Sequence, residues 1–361
     1  MNYNPIEVIL IGCGAVSQEY YTPALLELQK NSILKLKGIF DPDPLKIQKI
    51  KKKFPDVKTS EKFEEALNLK SELAIISSPP CFHKQQSIMA METGKAVLCE
   101  KPMAVSVADC EEMISCSLKT KKLLAIGLVR RFFPSAQTIR QLLLNNLLGE
   151  IKSFHFYEGG LFKWPVQSPS FFSKEISGGG ILIDIGIHLL DLLIWWWGQP
   201  VEIIYMDDSM GGVEANCLLK LKFSDGFSGT VRLSRDWDLP NYYLIEGSLG
   251  SLYWEVNEAN KIYLNIKGIK YSLKCEIQKS GFNKINIPFS ETAENFEQSF
   301  IFQILNIINA LRNRSALMVP GEEGLRSVNL VNQCYQKRSF LQPLWFNENE
   351  IIRAQQYHKE R

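Results

Sequence analysis

Three side chains in this 361-residue sequence have the type and setting for proton transfer. Lys101 stands in Glu100-Lys101-Pro102, directly after the apolar run Ala96–Cys99, and Asp184 and His188 share one apolar stretch. Lysine and histidine can each be tuned toward neutral pH, so either could take a proton from a hydroxyl or return one to a carbonyl oxygen. Asp184 lies one helical turn before His188 and on its face, where it could bind a substrate hydroxyl and orient the imidazole. Asp191 extends the series: at about 100° per residue the three fall in a stripe about 60° wide, a polar stripe aimed into a cavity. Plainer readings stand beside these. Lys101 could be an exposed loop lysine, His188 a satisfied core histidine, and Asp191 a structural cap.

A second group could hold a dinucleotide. Gly12-Cys13-Gly14-Ala15-Val16-Ser17 follows a short apolar run and opens a helical pattern. In such a turn the first glycine permits the tight bend, and the second lets backbone approach a pyrophosphate seated on the helix N-terminus. The third small position is filled by the larger Ser17. Asp41 ends the next strand pattern; a carboxylate there accepts hydrogen bonds from ribose hydroxyls and repels a 2′-phosphate. Its neighbours are Phe40 and Pro42, with no arginine, so NAD(H) is expected over NADP(H). As a plain alternative, Asp41 caps the turn before Pro42. Cys13 reads as small-residue packing, and His83 as a helix start or a brace for the proline loop.

The elements that must position these residues fall into two halves. In the first third, strand patterns alternate with helical ones, which implies right-handed crossovers and a parallel sheet. Ser106 three residues before Asp109 marks one helix start, and Gly94 marks a helix end. From Ile151 onward, extended runs follow one another almost without helices, with Asp225-Gly226 as a hairpin turn, which indicates an antiparallel sheet. Helical patterns return at Phe296–Arg312 and Glu322–Lys337. The expected domains are 1–128, a parallel α/β unit, and 129–361, an α+β unit whose helix near 322–337 packs back on the first.

Composition narrows the class. The net charge, 41 − 39 = +2, gives no broad cationic field, which argues against nucleic acid or an anionic membrane as partner. The apolar stretch Ile181–Trp197 contains Asp184, His188 and Asp191, which argues against a bilayer span. Eight scattered cysteines without a C-x-x-C pair fit a reducing compartment, and Met1–Pro5 has no secretory character, so a cytoplasmic protein is expected.

Leu73-Ala-Ile-Ile-Ser-Ser-Pro-Pro80 leading to His83, Gly94 through Glu100-Lys101-Pro102, and Gly178-Gly-Gly-Ile-Leu-Ile-Asp184-Ile-Gly-Ile-His188 together resemble the Gfo/Idh/MocA family of oxidoreductases. The resemblance implies a Rossmann domain followed by an open, mainly antiparallel sheet that serves oligomerisation. It implies Lys101 and His188 as catalytic residues and Asp184 as the substrate-binding aspartate. Glu100 and Pro102 would shape the nicotinamide end of the cofactor site, and Ser78 and Pro79 would lie along the dinucleotide. Ser17, and Val129 before Arg130-Arg131, depart from the family pattern. The implied enzyme moves a hydride between nicotinamide and a secondary alcohol or ketone of a sugar, inositol or sugar nucleotide, and Lys101 and His188 both remain candidates for the proton-transfer group. No metal is implied, although Asp184, His188 and Asp191 could ligate one by type. Two other readings share these residues: an NAD-dependent glycoside hydrolase, and a non-catalytic NAD-sensing protein. The aromatic segment Leu161–Phe172 could wall a sugar-sized pocket or pack on the sheet, and Trp195–Trp197 read as core or subunit contact.

Overall fold

A computed structural model describes residues 4–165, 172–256, 258–276, 296–342 and 347–359. Phe171 of the aromatic segment lies outside these residues, as does Ile277, where the sequence pattern Lys270–Ile277 predicts the end of a strand. The chain divides into two compact units.

The first unit takes residues 4–132 and 296–325. Its apolar runs form six strands: β1 (Ile6–Ile11), β2 (Leu34–Phe40), β3 (Lys58–Ser60), β4 (Leu73–Ile76), β5 (Ala96–Glu100) and β6 (Leu124–Gly127). They lie in the order β3-β2-β1-β4-β5-β6, all parallel. β4 and β5 are buried along their whole length, as strands covered on both faces must be. The helices between them are α1 (Thr22–Lys30), α2 (Pro44–Lys51), α3 (Phe63–Leu67), α4 (Pro80–Glu92) and α5 (Val107–Thr120). Ser106 caps α5 by accepting from Asp109 N at 3.1 Å, and Gly94 turns the chain after α4 with φ +89°. α4 begins at Pro80, earlier than the sequence suggests, because a proline ring suits the first helical turn. The returning helix Phe296–Leu311 packs on α1, with Phe300 edge-on to Tyr21. The strand order reverses between β1 and β4, the place where open α/β sheets bind ligands at the carboxyl ends of their strands.

The second unit takes residues 133–164, 172–256, 258–276, 326–342 and 347–359. It holds α6 (Pro134–Leu144), α7 (Lys174–Ser177) and α8 (Ile187–Trp197). Nine strands form one sheet: β7 (Ile151–Gly159), β8 (Glu202–Asp207), β9 (Asn216–Lys222), β10 (Ser228–Ser234), β11 (Tyr242–Gly247), β12 (Gly250–Glu255), β13 (Lys261–Ile266), β14 (Ile269–Lys274) and β15 (Arg338–Phe340). The order is β14-β13-β12-β11-β7-β10-β9-β8-β15. β7 with β10 and β8 with β15 are parallel; the other neighbours are antiparallel. Gly226 at φ +89° makes the turn between β9 and β10. Side chains alternate across the sheet, and the buried face (Phe154, Phe156, Tyr243, Trp254) receives Trp196 and Trp197 of α8. Trp195 instead lies beneath the Arg140 guanidinium, 5.0 Å from its ring centre. The Lys174–Trp197 stretch is long and apolar enough to cross a membrane, and most of it is buried within the protein. The division between units falls inside the helix Gly321–Gln336.

Candidate active site

In the first unit the glycine turn sits where the strand order reverses. Gly12 has φ +92°, and a Cβ there would come within 2.6 Å of Ser78 N, on the loop that leaves β4. Only glycine fits, on both counts. Gly14 differs: its φ is ordinary and nothing in the protein lies within 4 Å of where its Cβ would be. Helical residues begin at Ala15 and continue through Val16, with Gly14, Ala15 and Val16 all partly exposed. A bare, accessible glycine at a helix start is the cradle a pyrophosphate requires, so these residues fit a dinucleotide. Ser17 is buried rather than merely tolerated. Its hydroxyl donates to Gly12 O at 2.7 Å and lies 2.6 Å from Ser77 Oγ, joining the two loops.

Asp41, at the end of β2, accepts from Cys13 N at 2.8 Å through Oδ2 and from Asp43 N at 2.9 Å through Oδ1. The structure shows the capping contacts of this carboxylate. It shapes its own turn and stands against the glycine turn, and each oxygen keeps a further lone pair for a hydroxyl donor. The Cys13 thiol is pushed far up by burial and by Asp41, which makes it packing and not a nucleophile.

Glu100, Lys101 and Pro102 leave the end of β5. Glu100 is buried and accepts from the Tyr21 hydroxyl at 2.6 Å and from Lys101 N at 3.1 Å. Burial pushes its carboxyl up, while Tyr21 and Lys101 pull it back. Gln303 donates to Tyr21 Oη at 3.0 Å, extending the chain of contacts into the returning helix. Lys101 itself is partly exposed, and the Lys101–Pro102 bond is cis. His83 braces the other side of the loop: Nδ1 lies 2.8 Å from Pro102 O, and Nε2 lies 2.8 Å from Ser78 O. One buried imidazole thus links the lysine loop to the Ser78-Pro79 loop. Ser78 Oγ also donates to Gln86 at 2.5 Å. Arg131 is buried and paired with Glu323 at 2.7 Å, so it serves the packing of this unit.

In the second unit, Asp184 and His188 lie on a continuous helical stretch whose first part is not α. Leu182–Gly186 is π-helical and leads into α8. A π turn changes the angular step between residues from that of an α-helix, on which the expected stripe rests. Asp184 is 29% exposed and pairs with the guanidinium of Arg235 at 2.5 Å. Asp191 is fully buried and accepts from Ser327 Oγ at 3.1 Å, a structural partner. His188 is 8% exposed. Arg235 also carries the Phe162 ring, 5.3 Å from its guanidinium carbon. Lys101 belongs to one unit and His188 to the other.

Sequence reasoning missed Tyr21, Gln303, Arg235 and Glu214. None belongs to a motif, and each owes its role to a partner at least 32 residues away. Arg235 gave the most signal, as a cation closing a strand pattern.

Comparison with known proteins extends this geometry. Residues 6–128 match the model of the Gfo/Idh/MocA oxidoreductase family, NAD-binding Rossmann fold, and residues 136–253 match that family's C-terminal domain. A glucose-6-phosphate 3-dehydrogenase of Bacillus subtilis (strain 168) is 30% identical over 374 aligned positions, 93% of this chain and 97% of that protein. A D-glucoside 3-dehydrogenase of Escherichia coli (strain K12) is 30% identical over 253 residues, 69% of this chain and 66%, just under two thirds, of that protein. In fold, the chain resembles a levoglucosan dehydrogenase solved with NADH and levoglucosan: TM-score 0.78 at 16% identity, covering 92% of this chain and 97% of that one.

Proposed function

This chain belongs to the Gfo/Idh/MocA family of oxidoreductases, and from that premise we propose an NAD(H)-dependent dehydrogenase or reductase acting on a sugar, inositol or sugar nucleotide. Bound NAD(H) supplies the acceptor or donor of a hydride exchanged with a secondary alcohol or ketone. The observation that carries the reading is the fixed loop of Lys101, tied through Glu100 to Tyr21 and through Pro102 to His83, on the same parallel sheet that ends in the Gly12 turn.

The chain's own residues divide the work. Gly14, Ala15 and Val16 receive a pyrophosphate, and Asp41 accepts from ribose hydroxyls. With no arginine adjoining it, Asp41 favours NAD(H) over NADP(H). Ser78, Pro79, Glu100 and Pro102 shape the nicotinamide end. Lys101 Nζ or His188 takes the hydroxyl proton, or returns it to a carbonyl oxygen. Asp184 accepts from a substrate hydroxyl, and Arg235 fixes the direction of that carboxylate. The 3-dehydrogenase relatives make glucosides and glucose 6-phosphate the first substrates to try. All eight cysteines are free thiols, which supports a cytoplasmic protein. The solvent-facing side of the second sheet supports a homo-oligomer, and burial of most of Lys174–Trp197 within the protein speaks against a membrane role for that stretch.

The test is turnover on a panel of glucosides, glucose 6-phosphate and inositol with NAD and with NADP. The parent, Lys101→Ala, His188→Asn and the double variant are compared. We expect each single variant to lose about 100-fold or more in kcat with NADH affinity nearly kept. The double variant should be little slower than the slower single one, because groups serving one proton transfer are not additive. Parent-like turnover in both single variants would reject the assignment. Leaving-group release from an aryl glucoside without net NADH would instead make the enzyme a hydrolase.

A further inference from the structure

The stretch that carries Asp184 and His188 starts at three consecutive glycines, and one distant residue meets three of its first N–H groups. Glu214 lies just before β9 and is 1% exposed. Its Oε2 accepts from Gly180 N at 3.0 Å, its Oε1 accepts from Leu182 N at 3.0 Å, and its main-chain oxygen accepts from Ile181 N at 3.0 Å. A helix start normally leaves such groups to a local cap or to water. Here a buried carboxylate and its own carbonyl take all three. The glycines follow from this: a Cβ on Gly180 would overlap the Glu214 main chain, and one on Gly179 would overlap the Tyr335 hydroxyl.

Tyr335 completes the arrangement. Its hydroxyl donates to Glu214 Oε1 at 2.8 Å from the last turn of the helix Gly321–Gln336. The Arg338 guanidinium covers its ring at 4.9 Å and pairs with Asp207 at 2.6 Å. Asp207 also accepts from Tyr205 Oη at 2.7 Å. The Tyr335 hydroxyl is therefore held in place from several sides, and it holds the carboxylate in turn.

We propose that Glu214 is a positioning residue for the reaction: its ionised carboxylate sets where the Asp184–His188 helix begins and how it is rotated, with Tyr335 as its lock. This rests on the reading that Asp184 and His188 act on substrate. All three side-chain acceptor contacts need a lone pair, and a protonated carboxyl would present a donor where only donors point. The groups facing Glu214 are Asp207, Tyr335 and the amides of the helix start, with Tyr205, Cys217 and Arg338 around them. Burial, and then Asp207, push the carboxyl above its usual range, so positioning is lost on acidification earlier than for an ordinary glutamate.

The experiment uses the full chain and four proteins: parent, Glu214→Gln, Tyr335→Phe and His188→Asn. Melting, NADH binding, the His188 imidazole titration by proton NMR (assigned by its absence in His188→Asn) and kcat against pH on the best glucoside of the panel are measured. Expected in Glu214→Gln and Tyr335→Phe are a cooperative melt and NADH affinity within about twofold of the parent. A displaced His188 titration and a kcat at least about tenfold lower are expected too, with KM less affected. The acid limb of the parent's profile should flatten in Glu214→Gln. Parent-like titration and kcat in both folded variants would overturn the proposal. If Glu214→Gln does not fold, Tyr335→Phe, which keeps its ring against Gly179, decides alone. An active His188→Asn removes the underlying reading, whereas an inactive His188→Asn beside two parent-like variants removes only the positioning role.

Discussion

At His83 two carbonyl oxygens compete for one imidazole. A neutral ring has a single N–H, so it can donate to Pro102 O or to Ser78 O but not to both; the imidazolium can serve both. Burial is the stronger influence and holds the group below its ordinary 6.5, with Lys101 adding to the effect and the two carbonyls opposing it. The sign follows from proton uptake. Between the lowered folded value and 6.5 the unfolded chain binds the proton and the folded chain does not, so this residue's contribution to stability falls as pH drops through that window. We expect the loss of urea resistance between pH 7.5 and 5.5 to be smaller in His83→Gln than in the parent. Equal slopes in the two proteins would show that His83 is not the titrating group. The same substitution frees both loops, so NADH binding should weaken as well. Asp184 carries a related lesson, since it pairs with a cation 51 residues away. The residue type was legible; the partner was not, because side-chain pairing across 51 residues leaves no local trace.

At the scale of elements, the glycine turn offers a contrast within three residues. Gly12→Ala must strain a positive φ and push the Ser77–Ser78 backbone aside, and we expect it to destabilise the fold by a few kcal/mol. Gly14→Ala meets open space, so its melting temperature should stay within a few degrees of the parent while NADH affinity falls at least about tenfold. Unchanged NADH affinity in Gly14→Ala would mean that the turn does not hold a pyrophosphate. Much of this architecture was readable from local pattern: the buried runs of β4 and β5, the Ser106 cap, the Gly226 turn and the alternation of β9 and β10. What escaped was set by distant contacts. Ser17–Tyr21 and Leu182–Gly186 are π-helical, and both read as ordinary helix in sequence. β3 and β15 are three residues each, too short for a periodic signal, and they exist because β2 and β8 offer an open edge. The parallel pairing of β7 with β10 joins segments some seventy residues apart.

At the scale of the whole molecule, the second sheet has one face without cover among the described residues. One rung across it runs Tyr263, Tyr253, Leu244, His155, Thr230, Lys220 and Ile204, from β13 to β8. Tyr157, Tyr242, Tyr253 and Tyr263 form a chain of neighbouring rings 5.0 to 5.9 Å apart, and Ile204 is 54% exposed. Partly dry aromatics with hydroxyl tips suit contact with a second copy of the same surface. We expect Tyr253→Glu to lower the molar mass measured by light scattering to that of one 41.2 kDa chain, with NADH affinity unchanged. A parent mass in that variant would assign the oligomer, if any, to another surface. The first unit poses a different problem, one of timing. Gln303 reaches Tyr21, Val319 O accepts from Ile126 N, and Phe300 covers Tyr21, so the nucleotide-binding sheet is finished by residues translated more than 160 positions after its last strand. On the ribosome, the nascent chain must therefore carry its first half with that flank bare until Phe296–Leu325 emerges.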